Sequence, residues 1–420
     1  MNAPQTPGRR PRLILLTQWF DPEPTFKGIL FARALHARGY DVEVVTGFPN
    51  YPGGKLYEGY RVWPIQRENL GDVQVTRLAL YPSHGQSGIG RAFNYLSFMI
   101  SAFFYLLLGA RKADVMYIYH PPITVGAAGA LAGLFRRTPF VIDIQDMWPD
   151  TLAATGMVRN SLVLSWVGQL CLWVYGRAAH IVVLSPGFAT LLGSRGVPRE
   201  KVTVIFNWAD EAAVGSPAKC PGSMLAPDRF QILFAGNMGR AQALDTPLEA
   251  AKLVTAHGAP IDFVFLGDGL EADRMKRRVR NEGIGNVRFL PKVPMQNVGA
   301  YLQAADVLLV CLRDDPLFKI TVPSKTQAYM ASGRPILISV GGDASALVEE
   351  AECGAACAPE DAVDLAKVAM GLHACGSEKL ASMGAAGRRY YDRKLSLDAG
   401  ADAFHEIFTA IIARRKRSSV

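Results

Sequence analysis

Short, almost continuously apolar runs recur along this chain, each followed by a stretch with helical character. In the first half they are Arg12–Thr17, Asp41–Thr46, Val73–Leu78, Asp114–Tyr119, Pro139–Ile144, His180–Leu184 and Lys201–Ile205. A strand with one wet face alternates apolar and polar residues, whereas a run without alternation belongs to a strand covered on both faces. Such strands alternating with helices form a parallel sheet with a helical layer on each side.

The pattern stops once and restarts. Residues 207–228, NWADEAAVGSPAKCPGSMLAPD, are rich in Pro, Gly, Ala and Ser, carry no helical stripe, and read as a linker. Beyond them come Phe230–Ala235, Ile261–Leu266, Val287–Phe289, Val307–Cys311 and Pro335–Ile338. The expectation is an α/β chain of two doubly wound, Rossmann-like domains, 1–206 and 229–397, with a cleft between them. A last helix at about 398–413 can pack back on the first domain, followed by a frayed basic tail. A length of 420 residues accommodates this, and neither half has a short-period repeat.

The net charge of +8 suits acidic phosphates, nucleic acid or an anionic membrane. Nucleic acid is a poor candidate, because zinc-ligand spacing, an aromatic RNP-like run and a long basic helix are all missing. The six cysteines are scattered, which fits a reducing compartment, and Cys353 and Cys357 have no neighbouring ligands that would make a metal site. The polar start runs directly into RLILLT, which does not resemble a leader with a cleavage site. Three segments are unusually apolar: Ala92–Ala110, Ile123–Phe135 and Ser161–Gly176. The first is long enough to cross a bilayer. A crossing would strand Asp114–Tyr119 on the wrong side of its sheet, so a core helix or a helix dipping into one leaflet is expected. Arg91, Arg111 and Lys112 flank it and favour an anionic headgroup layer.

Ligands of open parallel sheets bind beyond the carboxyl ends of the strands. After the first strand, Gly28 opens a helix, without the GxGxxG of a dinucleotide site. His120 ends another strand, before two prolines. Asp143 and Asp146 are three apart and cannot share a strand face, so Asp146 falls in the loop with Trp148 behind it. In the second half, FAGNMGRAQAL offers Gly236, Asn237, Gly239 and Arg240, and LGDG offers Gly267, Asp268 and Gly269 as a turn. The loop CLRDDPLFKI brings Arg313, Asp314, Asp315 and Lys319 next to PSKTQAYMASG. There Ser324 reads as a helix cap and Gly333 as the stop, while Lys325 stands at a helix start, where the dipole favours anions. Ser324, Lys325 and Thr326 with free N–H groups can hold a phosphate.

These pieces, in this order, resemble the retaining glycosyltransferases of family 4, which have the GT-B fold of two Rossmann-like domains. The group is that of O-antigen, colanic acid and capsule synthesis, the WbuB- and WcaI-like enzymes. The resemblance rests on WFDPEP with Gly28, TGFPNYPGGKLYEGY, DIQDMWPD, VIFNWAD, FAGNMGRAQAL, LGDG and PSKTQAYMASGRPIL. It implies a nucleotide-sugar donor held mainly by the C-terminal domain and a polyprenyl-diphosphate-linked saccharide acceptor held by the N-terminal one. It implies no metal and no other cofactor, and a site on the inner face of the cytoplasmic membrane. Arg240, Ser324, Lys325 and Thr326 would hold the leaving diphosphate, Gly28 would let a loop close on it, and His120 would stand near the reacting sugar, with Asp146 as a second candidate. The chain departs from the family twice. Two glutamates eight apart fall on Ile320 and Ala328, and the glycine-loop Arg and Lys fall on Asn237 and Gln242. Gln327, Asp314 or Lys319 could take over the sugar and ribose contacts. The departures also leave open a non-catalytic subunit, or an epimerase on the same fold.

Overall fold

The computed structural model describes residues 9–83, 88–215 and 228–417. The chain divides into two compact units. The first holds the residues up to Leu184, Phe188–Ile205 and those from Gly400 onward, and the second holds Ser185–Gly187 and Phe206–Ala399.

In the first unit eight strands form one sheet: β1 (Arg12–Leu16), β2 (Asp41–Gly47), β3 (Ile65–Leu70), β4 (Val73–Leu78), β5 (Val115–His120), β6 (Phe140–Ile144), β7 (His180–Val183) and β8 (Val202–Val204). Their order is β3-β4-β2-β1-β5-β6-β7-β8. All neighbours are parallel except β3, which pairs antiparallel with β4. The apolar runs did not foretell β3, and its sequence explains why. IQRENL is a polar edge strand that alternates between exposed and half-buried positions. In the second unit, β9 (Phe230–Ala235), β10 (Ile261–Leu266), β11 (Val287–Leu290), β12 (Val307–Cys311), β13 (Ile336–Ser339) and β14 (Gly354–Ala356) run parallel in the order β11-β10-β9-β12-β13-β14. Leu233, Val264, Leu308 and Ile336 enter one core. Their neighbours Ile232, Phe263, Leu309 and Leu337 enter another on the opposite face. Two cores served by alternate residues are the reason these strands read as unbroken apolar runs.

Residues 207–215 correct the expected linker. They belong to the second unit and include a helical turn, Glu211–Val214. Trp208, Ala209 and Val214 are buried there, and the Tyr391 hydroxyl accepts from Ala209 N–H (3.0 Å) and donates to Glu211 (2.8 Å). Residues 216–227 of that stretch lie outside the described residues.

The last helix, Leu397–Arg417, runs further than the expected end near 413. Its final turn holds Arg414, Arg415, Lys416 and Arg417, cations that the carboxyl end of a helix favours. From Gly400 it is part of the first unit. Phe404 is fully buried, with its ring centroid 5.1 Å from that of Phe31 and 5.4 Å from that of Tyr117. Arg38 pairs with Asp402 at 2.7 Å. Truncating a buried phenylalanine costs about 3–5 kcal/mol. Phe404→Ala should therefore lower the unfolding free energy of the first unit by an amount of that order, read as a lower denaturation midpoint. A midpoint within error of the parent would show that the helix is not integral to this core.

Candidate functional site

In each sheet the chain leaves two adjacent parallel strands in opposite directions, at β1/β5 and at β9/β12. Loops part at such a place, and the carboxyl ends of the strands open to a ligand. In the second unit β9 is followed at once by Gly236, whose φ is +135°, and β10 by Gly267, whose φ is +134°. A Cβ on Gly267 would lie 2.2 Å from the Gly236 carbonyl oxygen, and one on Gly236 would lie 2.8 Å from Lys325 Cε. Only glycine lets these strand ends touch and leaves a channel for the lysine stem. Gly269 closes the turn, with Met238 N–H donating to Asp268 O (2.8 Å) and Gly269 N–H donating to Asp268 Oδ1 (2.8 Å).

Lys325 is laid across this floor. Its Nζ lies 4.2 Å from the Phe234 ring centre and donates to Gln242 Oε1 at 2.8 Å. Among the described residues no carboxylate pairs with it. Burial lowers its pKa to about 8. It belongs to the first turn of the helix Ser324–Ser332. That helix begins differently from the expectation: Pro323 occupies the cap position, Ser324 is the first helical residue and is exposed, and no side chain caps the end. Gly333 ends the helix in the left-handed region, at φ +69°. The Thr326 hydroxyl points into the interior, buried and without a partner. Gln327 is also buried, and its amide, with nitrogen facing the helix start, donates to Pro323 O at 2.7 Å.

The other candidates of this half lie on the loops that follow β9, β10 and β12. Arg313 N–H donates to Ala241 O (3.0 Å) and ties the loop after β12 to the glycine loop after β9. Asn237 and Asp268 are exposed. Arg240 is 83% exposed and pairs with Glu271 at 3.4 Å, so it is a solvent-facing cation that a ligand anion would share with that carboxylate. Asp314 and Lys319 pair with each other at 2.8 Å. Asp315 is used locally, accepting from Leu317 N–H at 2.8 Å.

Gly28, His120 and Asp146 lie in the first unit. Gly28 is the cap residue of the helix Ile29–Ala37, but Asp21 already fills that helix start and accepts from Ile29 N–H at 2.7 Å. A carboxylate of the chain itself thus occupies this helix start. His120, the last residue of β5, is fully buried, with its ring 5.6 Å from Trp148. Neither ring nitrogen has a partner, and burial pushes its pKa down to about 3, so the imidazole is neutral. Asp146 follows β6 in the loop, half-buried, with its pKa raised by burial. Asp143 faces elsewhere, accepting from Tyr117 (2.6 Å) and Gln145 (2.8 Å) with Lys27 Nζ at 3.9 Å.

Two families match this chain: the Glycosyl transferase 4-like domain over residues 30–208 and the Glycosyl transferases group 1 domain over 229–374. The chain is a glycosyltransferase built from a family 4-like domain and a group 1 domain. It is 27% identical over 266 residues to the probable glycosyltransferase WbjE of Pseudomonas aeruginosa, an alignment covering 62% of this chain and 66% of that protein. It is also 27% identical over 316 residues to the putative colanic acid biosynthesis glycosyl transferase WcaI of Escherichia coli K12, covering 73% and 76%. Among solved structures, HepE of Anabaena with UDP-glucose overlays with a TM-score of 0.64 at 15% identity, covering 95% of this chain and 99% of that one. The fold is GT-B.

One departure of this glycosyltransferase now has a structural meaning. Gln242, in place of a lysine, is the side chain that receives Lys325. Residues passed over in the sequence also emerge. Glu23 is buried and accepts from Asn50 N–H and Tyr51 N–H (2.7 Å each) and Phe20 N–H (3.2 Å), binding the loop after β1 to the loop after β2. Its position inside DPEP was the only available sign.

Burial raises the Glu23 pKa from 4.5 to about 7. Between those values the folded protein holds a proton that the unfolded chain has released. This group's share of stability is therefore full in acid and lost as pH rises through 7. Relative to Glu23→Gln, the parent should lose on the order of 2–3 kcal/mol between pH 4.5 and 7.5. Denaturant titrations at both pH values measure the difference, and a flat difference would refute the assignment.

Proposed function

We propose that this glycosyltransferase moves a sugar from a nucleotide-sugar donor to a saccharide carried on a polyprenyl diphosphate, with retention of configuration, in bacterial surface-polysaccharide synthesis. The observation that carries the donor half is Lys325. It is a half-buried cation with a lowered pKa, held by an aromatic ring and an amide, at a helix start whose first N–H groups have no side-chain cap. A cation in this state gains from any anion that reaches it, and a diphosphate is the anion that a helix start binds best. The UDP-glucose complex of HepE and the colanic acid role in WcaI's name support the reading.

As the glycosidic bond breaks, negative charge grows on the leaving diphosphate. Lys325, the N–H groups of Ser324 and Lys325, and Arg240 on its long arm oppose that charge from preset positions. On this reading no metal ion or other cofactor is needed. Asn237 and Asp268 at the strand ends, with Asp314 and Lys319 nearby, are the exposed groups left to meet the ribose and the donor sugar. Thr326 and Gln327 shape the helix start from within. In the other unit the neutral His120 and the half-buried Asp146 serve the acceptor side.

The acceptor half rests on an apolar face of the first unit. The helix Gly88–Phe104 and its extension Tyr105–Gly109 are long and apolar enough to cross a membrane, yet only 28% of that window is buried. β5, which follows directly, lies between β1 and β6, so a crossing would dismantle the sheet. Ile89, Phe93, Ile100, Phe104 and Leu108 are exposed along this helix. Arg91 and Arg111 stand at its ends, and no acidic residue interrupts it. We propose that it lies in the anionic inner leaflet of the cytoplasmic membrane, where a lipid-linked acceptor is presented.

Charge-assisted hydrogen bonds contribute about 1.5–3 kcal/mol, so Lys325→Ala should weaken binding of the donor roughly ten- to hundredfold without lowering the melting temperature. Calorimetric titration with a panel of nucleotide sugars reads this, and unchanged affinity would end the proposal. Donor hydrolysis by the parent also separates an enzyme from a non-catalytic subunit, the alternative raised by Ile320 and Ala328. Phe93→Glu with Ile100→Glu should abolish flotation with phosphatidylglycerol vesicles. Undiminished flotation of that folded variant would remove the membrane from the account.

A further inference from the structure

Four aromatic rings of the first unit form a chain of contacts that ends on His120, and none has been given a task. Trp19 follows β1, Tyr51 follows β2, Tyr95 stands on the long apolar helix and Trp148 follows β6. The ring centroids of Trp19 and Tyr51 are 4.8 Å apart, those of Trp19 and Tyr95 are 6.4 Å apart, and those of Tyr95 and Trp148 are 6.4 Å apart. Trp148 reaches His120 at 5.6 Å. Asp146 is close enough to act electrostatically on Tyr95. Trp19, Tyr51 and Tyr95 are half-buried, so the cluster has an open side.

Beneath three of the rings is a frame of buried amides. Gln18, Asn50 and Asn94, each one position before an aromatic, are all buried. Gln18 Nε2 donates to Asn94 Oδ1 (2.5 Å), and Asn94 Nδ2 donates to Asn50 Oδ1 (3.3 Å) and Tyr81 O (2.7 Å). Glu23 pins Asn50 and Tyr51 from the other side. A buried amide chain of this kind holds three separate segments in one arrangement, which is the construction of a preformed site.

We propose that Trp19, Tyr51, Tyr95 and Trp148 form the seat for a pyranose ring, the terminal sugar of the acceptor. A pyranose has an apolar C–H face, which aromatic rings cover, and a rim of hydroxyls that need hydrogen-bond partners. Both are present. The rings form the wall, and the unpartnered nitrogens of a neutral, fully buried His120, together with the Asp146 carboxylate, supply the polar groups. An isoprenoid chain would fit the wall but would leave those polar groups unsatisfied, so the sugar is the better occupant.

The inference rests on the glycosyltransferase reading, and the test keeps the two apart. Methyl pyranosides of glucose, galactose, mannose, fucose, N-acetylglucosamine and N-acetylgalactosamine are mixed one at a time with the full chain. The aromatic protons are then saturated, and transfer to the sugar C–H protons is recorded. At least one glycoside should receive saturation from the parent. The signal should fall at least fivefold in Trp19→Ala and in Tyr95→Leu and persist in Trp19→Phe, with melting temperature checking that each variant is folded. Silence from all six sugars, an unchanged signal in both truncations, or displacement of the sugar by geranyl phosphate at equal concentration would overturn the seat. Thermal shifts with nucleotide sugars on the same samples report the donor site independently. If donors bind and sugars do not, the seat falls while the transferase reading stands.

Discussion

The contact between two strand ends, Gly236 against Gly267, is the constraint on which the second unit's chemistry depends. A side chain on Gly267 would strike the Gly236 carbonyl and force the two strand ends apart, and one on Gly236 would strike the Lys325 stem. Their absence brings backbone against backbone and opens the groove in which the Lys325 stem lies. The lysine is then committed: Phe234 on one side and Gln242 at its tip take it partly out of water, and no carboxylate among the described residues compensates. Burial without a counter-charge is unfavourable for a lone protein and useful for one that meets an anion, because the cost of removing the lysine's water has already been met when the ligand arrives.

The first unit solves a different problem by a similar route. Its loops come from four strand ends and one helix, and hydrophobic packing alone does not fix loops. Polar groups placed inside do so. The Gln18–Asn94–Asn50 amides and the Glu23 carboxylate convert three separate segments into one surface. Asp143, held by Tyr117 and Gln145 with Lys27 close by, does the same work lower in the sheet. Buried polar networks are expensive when incomplete. Among the described residues at this end of the sheet, Gln18 Oε1 and both His120 nitrogens are buried without a partner, and of the two residues His120 is the one in contact with Trp148.

Much of this was legible beforehand, and the reason is the sheet. A strand covered on both faces must be apolar throughout, so twelve of the fourteen strands among the described residues announced themselves. The two that did not are the polar edge β3 and β14, whose GAA has no branched or aromatic residue to mark a strand. Gly236, Gly267 and Lys325 were visible because turn chemistry and an ill-placed charge are local properties. Direction was not visible. Thr326 and Gln327 turn inward, Asp21 fills the helix start at Gly28, and Trp208 begins a core where composition suggested a linker. Each of those outcomes is decided by residues distant in sequence or by which face of a turn is covered. The aromatic seat was hidden for the same reason, since its members come from residues 19, 51, 95 and 148.

The most direct test of the account is whether a diphosphate changes the proton on Lys325. With a pKa of about 8, this lysine is mostly neutral at pH 9 and mostly charged at pH 6.5. A diphosphate favours the charged form, so binding at pH 9 must draw a proton from the buffer. Titration of UDP, GDP, ADP and dTDP in turn, in two buffers of different ionisation enthalpy, counts that proton. The account predicts uptake of nearly one proton at pH 9 by the nucleotide that binds, little at pH 6.5, and none at pH 9 in Lys325→Arg. Binding at pH 9 without proton uptake would mean that the phosphates rest elsewhere and that Lys325 is not the group that receives them.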